Sequence, residues 1–168
     1  MGQRKPSRDT SRPAEPRHAA PRPAPAHAAP RGGLRLNVTS DPANLADVRH
    51  ALEGFCLQNG LGQEAAADVG LCVNEAMANV TRHAYGGATD RPVLVTAHFD
   101  GSAVTIQVRD WGNGVNPAGV EPKQDPTAPG GLGLVCLRRL LDECVYTPQP
   151  DGMLLTMRKR RPAACKTA

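Results

Sequence analysis

The chain has 168 residues, 40% of them hydrophobic, with 20 basic and 16 acidic side chains, enough for one domain of ordinary size and some chain to spare. Aromatic residues make up only 3%, which argues against a nucleic-acid surface built on stacked rings, and there is no apolar run of the length a membrane span requires. Residues 1–33 hold seven basic and two acidic side chains and residues 158–168 hold five basic and none acidic, so 34–157 keeps eight basic against fourteen acidic, a net of −6; the basicity belongs to the ends and reads as solvated extension, not as a DNA-binding face.

From residue 1 to 33 the composition is Pro, Ala and Arg, with seven prolines that interrupt helical patterns and offer little to bury, so a disordered tail is expected. The first 32 residues contain no Leu, Ile, Val, Phe, Trp or Tyr, which denies a secretory signal its apolar centre and makes a cytoplasmic protein the expectation. Five cysteines form no C-x-x-C pair and leave one over, so neither a disulfide framework nor a zinc site is expected. Cys72, Cys136 and Cys144 sit in apolar stretches and read as small core residues.

The folded domain is expected over 34–161, with 162–168 as a C-terminal tail. Leu34, Leu36 and Val38 alternate with polar residues in a short strand, and Ser40-Asp41-Pro42 supplies helix-start chemistry. One helix runs to Gln58 and stops at Asn59-Gly60, and a second runs from Gln63 to about Tyr85, ahead of Gly86-Gly87. Strands over 93–99 and 103–108 join through Asp100-Gly101 as a hairpin. After a Gly- and Pro-rich loop, residues 132–141 read as a helix, and strands over 145–147 and 153–158 flank Asp151-Gly152, the first shortened by Pro148 and Pro150. This order writes no βαβ series, so it excludes a doubly wound dinucleotide fold. It predicts an α+β, two-layer α/β sandwich with a mixed or antiparallel sheet and helices on one face.

Three places carry chemistry. On the second helix Val69, Cys72, Val73, Ala76, Val80 and Ala84 form the stripe that faces the sheet, while Glu75 and Asn79 stack one turn apart on its flank, with His83 extending the line. A carboxylate and an amide in that relation suit a proton acceptor beside a Mg²⁺ ligand, or a solvated helix flank. His83 suits a packed helix histidine as well as a phosphate contact, and Asp68 reads as a solvated or capping carboxylate.

At the end of the third strand, parity puts Asp110 on the helix-facing side with Val104, Ile106 and Val108, just before Trp111-Gly112-Asn113-Gly114. A buried carboxylate there would accept the exocyclic amine of adenine and reject guanine, whose corresponding group is an acceptor oxygen. Gly112 and Gly114 would let the backbone approach a flat ligand, or merely form a turn. Gly130-Gly131-Leu132-Gly133 precedes a helix, where free N–H groups can cradle phosphate, or form a flexible connector. No Lys or Arg lies in 124–137.

The order of these three segments, Asn74 to Asn79 on a helix, Asp110-x-Gly112-x-Gly114 after a strand and Gly131-x-Gly133 before a helix, resembles the N, G1 and G2 boxes of the GHKL (histidine-kinase-like) ATPase superfamily. Within it, residues 34–161, with His83-Ala84-Tyr85 after the N box, look most like the anti-sigma-factor serine/threonine kinases. The resemblance implies ATP and Mg²⁺ as cofactors. It gives Glu75 the role of general base, Asn79 that of Mg²⁺ ligand and Asp110 that of adenine acceptor. Gly112 and Gly114 become the base-approach glycines, and Gly130, Gly131, Leu132 and Gly133, with His83, the phosphate contacts.

It further implies a Ser of a STAS-type anti-anti-sigma factor as substrate, a sigma factor as second partner, and a possible homodimer, with neither direct nucleic-acid nor membrane binding. The alternative is a nucleotide-binding partner-switching module that transfers nothing, which the absence of a basic residue at the lid keeps open. A detached histidine-kinase catalytic domain would need a helical dimerisation hairpin, which the prolines before Leu34 cannot build.

Overall fold

The computed structural model describes residues 32–113 and 137–162. The expected tails, apart from the short stretches they share with those ranges, lie outside them, as do Gly114, the 130–133 glycine segment and Cys136.

Strand β1 (Leu34–Thr39) sends Leu34, Leu36 and Val38 toward the core. Asp41 then accepts the Ala43 N–H at 2.9 Å and opens a 3₁₀ turn, Pro42–Asn44, that leads into helix α1 (Leu45–Gln58). On α1, Val48, Leu52 and Cys56 recur every four residues and are buried. The helix ends as its sequence predicts: Gly60 takes a φ of 76°, and the Leu61 N–H reaches back to the Cys56 carbonyl at 3.1 Å.

Helix α2 (Gln63–Asn79) buries Val69, Cys72, Val73 and Ala76, four of the predicted stripe. It does not continue to Tyr85 as an α-helix. At Val80–Ala84 it widens into a π turn, with the Tyr85 N–H donating to Val80 O, five residues back, at 3.1 Å. The cause is local. The Thr81 hydroxyl is drawn to the carbonyls of Ser40 (2.7 Å) and Met77 (3.1 Å), and Gly86 and Gly87 both adopt positive φ.

Strands β2 (Pro92–Phe99), β3 (Ala103–Asp110), β4 (Glu143–Gln149) and β5 (Gly152–Arg160) complete a five-stranded sheet in the order β1-β2-β3-β5-β4. All four pairings are antiparallel, which narrows the expected mixed or antiparallel sheet. Val93, Val95, Ala97, Val104, Ile106, Val108, Leu155 and Met157 face α1 and α2 and are buried with them in one core. The architecture is α+β, in two layers.

Both hairpins form, each displaced one residue from its Asp-Gly signal. Asp100 and Ala103 bracket Gly101-Ser102, and Gln149 and Gly152 bracket Pro150-Asp151. Pro148 does not shorten β4, because β4 is an edge strand, the position in a sheet where proline is tolerated. Of the expected helix over 132–141, residues 137–140 are helical. Leu137 and Leu141, four apart, are buried. Asp68 is not a solvated carboxylate: Lys159 donates to it at 2.7 Å and to the Leu140 carbonyl at 2.6 Å, tying β5, α2 and the end of the 137–140 turn together.

Candidate functional site

Among the described residues, two polar side chains are buried, Ser40 and Asp110. Ser40 is a joint: its hydroxyl donates to Ala88 O at 2.6 Å and accepts from the Arg91 N–H at 3.3 Å. Asp110 is different. It ends β3 on the helix-facing side, level with Val93 and Met153 in the neighbouring strands, and only 4% of its surface is exposed.

Burial pushes the Asp110 carboxyl above its ordinary value, against the pull of the Gly112 N–H, the Arg109 guanidinium and the Met153 N–H. An ionised carboxylate has about four acceptor positions, so one that takes the Gly112 N–H at 3.0 Å retains capacity for further donors. This is the chemistry expected of a residue that reads the exocyclic amine of a base.

The loop that follows is held against the end of α2. Gly112 N–H donates to Asp110 Oδ1 at 3.0 Å, Asn113 N–H to Ala84 O at 3.2 Å, and Trp111 N–H to the Tyr85 hydroxyl at 2.8 Å. A Cβ at Gly112 would strike the Ala84 carbonyl. A close approach that requires glycine here is therefore with the protein's own backbone.

From the opposite side, Arg109 donates to the carbonyls of Asp110 and Met153 and pairs with Asp151. Its guanidinium lies 4.8 Å from the centre of the Trp111 ring. Gly152, at φ 139°, gives the Asp110 carbonyl its space.

Glu75 and Asn79 lie one turn apart on α2 and are both half-buried, as a pair flanking the core stripe should be. His83 follows Asn79 within the π turn and is exposed. No group of three His, Cys, Asp or Glu among the described residues could hold a metal by itself. Mg²⁺ does not require one, because it commonly binds through one or two protein oxygens together with substrate phosphates. The Asn79 amide oxygen suits that role, with the Glu75 carboxylate one turn away as a proton acceptor.

Tyr85 is the site residue that the sequence left without a role, and Ala84 read only as part of the core stripe. The HAY triplet directly after the N-box helix was the available signal; the π turn that aims it at the Asp110 loop has no comparably plain signature. Gly114, Gly130, Gly131, Leu132 and Gly133 lie outside the described residues.

The comparisons with known proteins bear on family and fold. A serine-protein kinase RsbW from Listeria innocua serovar 6a is 26% identical over 135 residues, covering 75% of this chain and 85% of the relative. The RsbW serine-protein kinase of Bacillus pumilus is 27% identical over 137 residues, covering 75% and 84%. In structure, the chain resembles the RsbU and RsbW domains of a Mycobacterium tuberculosis protein with a TM-score of 0.58 at 22% identity, over 78% of this chain and 33% of that longer one. That likeness bears on the fold. The histidine kinase-like ATPase domain family matches residues 38–159, from the end of β1 to the end of β5. With the N-box helix and the buried strand-end acid both in place, the chain belongs to the histidine kinase-like ATPase domain family.

Proposed function

We propose that the protein is an ATP- and Mg²⁺-dependent serine/threonine kinase of the anti-sigma type. It phosphorylates a Ser of a STAS-type anti-anti-sigma factor and, with that partner out of competition, sequesters a sigma factor in the cytoplasm. The observation that carries the reading is the buried Asp110, held at the tip of β3 by a loop that is hydrogen-bonded to the end of the helix bearing Glu75 and Asn79. The names of the RsbW relatives support the kinase class.

In this reading Asp110 accepts the adenine amine and Asn79 offers its amide oxygen to the cation, whose charge offsets that of the phosphates. The Glu75 carboxylate takes the proton of the attacking Ser hydroxyl. The hydroxyl oxygen bonds to the γ-phosphorus as the bond to the β–γ bridging oxygen breaks and ADP departs. Such transfer depends chiefly on alignment and charge stabilisation, so a rigid joint between base-reading loop and catalytic helix is the structural requirement.

A second reading, a nucleotide-binding module without transfer, is favoured by the lack of any Lys or Arg over 124–137, where lid cations are expected. Purified protein incubated with Mg-ATP and a STAS partner decides between them. Phosphoserine on the partner, abolished by Glu75→Gln with ATP affinity retained, is the expected result. ATP binding with no transfer to any STAS protein selects the module, and equal transfer by Glu75→Gln removes the base.

A further inference from the structure

The β2–β3 ladder pairs Val93 with Asp110 and, one step further, would set Pro92 opposite Trp111. That step is not made. The Tyr85 hydroxyl stands in it, donating to the Pro92 carbonyl at 2.6 Å and accepting the Trp111 N–H at 2.8 Å. Pro92 has no N–H with which to close the other half of such a pair. The strands therefore part directly after Asp110, with a phenol oxygen where a direct amide–carbonyl bond would lie.

We propose that Tyr85 is a positioning residue for nucleotide recognition: its hydroxyl, wedged between Pro92 and Trp111, ends the ladder at Asp110 and thereby aims the carboxylate at the base. The inference rests on the ATP-binding reading and adds to it a residue that touches neither base nor phosphate.

Three features support the wedge. The Tyr85 ring packs against the core, so the hydroxyl cannot easily withdraw. Burial, the largest influence on it, raises the phenol above its ordinary value, and at neutral pH it remains a donor to Pro92. Tyr85 also directly follows Ala84, whose carbonyl takes the Asn113 N–H at 3.2 Å, so consecutive residues grip the loop on both sides of Gly112. A neutral hydrogen bond at such a position contributes modestly, which sets the scale of the expected effects.

Tyr85→Phe removes the wedge and keeps the ring. The Trp111 N–H then closes on Pro92, and the carboxylate turns with it. The expected result in full-length protein is a rise in KM for ATP of about threefold to tenfold, with kcat at saturating ATP unchanged and the preference for ATP over GTP narrowed by a similar factor. Trp111 is the single tryptophan, and its emission is expected to shift in the nucleotide-free variant.

Thr81→Val serves as the comparison, because it loosens the same π turn at its Ser40 bond without touching the loop. It should lower thermal stability and leave the ATP/GTP ratio as in the wild type. Pro92→Ala, which restores an N–H facing β3, is a second variant expected to narrow the ratio should Tyr85→Phe fail to fold. An unchanged ratio in Tyr85→Phe, or in Pro92→Ala where it stands in, or an equal change in Thr81→Val, overturns the proposal alone. Wild-type protein that binds no ATP overturns the functional reading and the proposal with it.

Discussion

Gly112 lies directly against the carbonyl of Ala84, the last residue of the π turn, and leaves no room there for a side chain. The obstacle is backbone, which cannot rotate aside, so Gly112→Ala forces the loop away from α2. The expected cost is about 1–3 kcal/mol of folding stability, as for other overpacked sites. ATP affinity is expected to fall with it, because the Asn113 and Trp111 hydrogen bonds share that seam. Chemical denaturation and a nucleotide titration of the same sample check both effects.

Asp110 places stability and binding in opposition. A carboxyl whose folded-state pKa is raised weakens the fold as pH rises from its unfolded value through the folded one, because the charged form is the one burial disfavours. Asp110→Asn is therefore expected to be at least as stable as the wild type at pH 7, and to lose that advantage on acidification. ATP affinity, which needs the ionised acceptor, should fall on acidification from a pH above the ordinary carboxylate range. Thermal melts and calorimetry across pH 4 to 8 read the two trends.

Asp100 behaves in the opposite sense. The Ser102 N–H, the Ser102 hydroxyl, the Ala103 N–H and the Arg158 guanidinium all donate to its carboxylate and hold it well below the usual carboxylate range. Its contribution to the β2–β3 hairpin is complete above the unfolded value and is lost as pH falls toward the folded one. Asp100→Ala should melt earlier than the wild type at neutral pH, with the gap closing as the solution is acidified.

Lys159 is expected to matter for the fold and not for the chemistry. Its ammonium and the Asp68 carboxylate keep 18% and 24% of their side-chain surface, and it also caps the Leu140 carbonyl. Lys159→Met leaves a half-buried acid without its cation and should cost about 1–3 kcal/mol. The Lys159→Met, Asp68→Leu double variant should recover part of that loss, and a double-mutant cycle in denaturant measures it.

The two-layer order, the end of α1, both hairpins and the burial of Asp110 were legible in the sequence, because each rests on a period of two or four residues or on a local turn signal. What escaped depends on tertiary partners. The π turn forms where Thr81 meets the Ser40 carbonyl, forty-one positions earlier in the chain. Within that turn His83 is exposed, and Tyr85 directly after it reaches the Asp110 loop. Pro148 reads as a strand breaker until β4 is seen to be an edge. Asp68 reads as solvated until Lys159 arrives from β5. The three-box order was visible before any of this, since it depends only on residue types in sequence.

Nucleotide selection at this site depends on Asp110 reading the base. Calorimetry of Mg-ATP and Mg-GTP with the wild type and Asp110→Asn tests this most directly. A carboxylate can only accept, whereas the Asn amide can turn either its oxygen to adenine or its NH₂ to guanine. The prediction is a wild-type preference for ATP of roughly tenfold to a hundredfold that collapses toward parity in Asp110→Asn. Equal affinity of the wild type for both nucleotides, or a preference that survives the substitution, contradicts it.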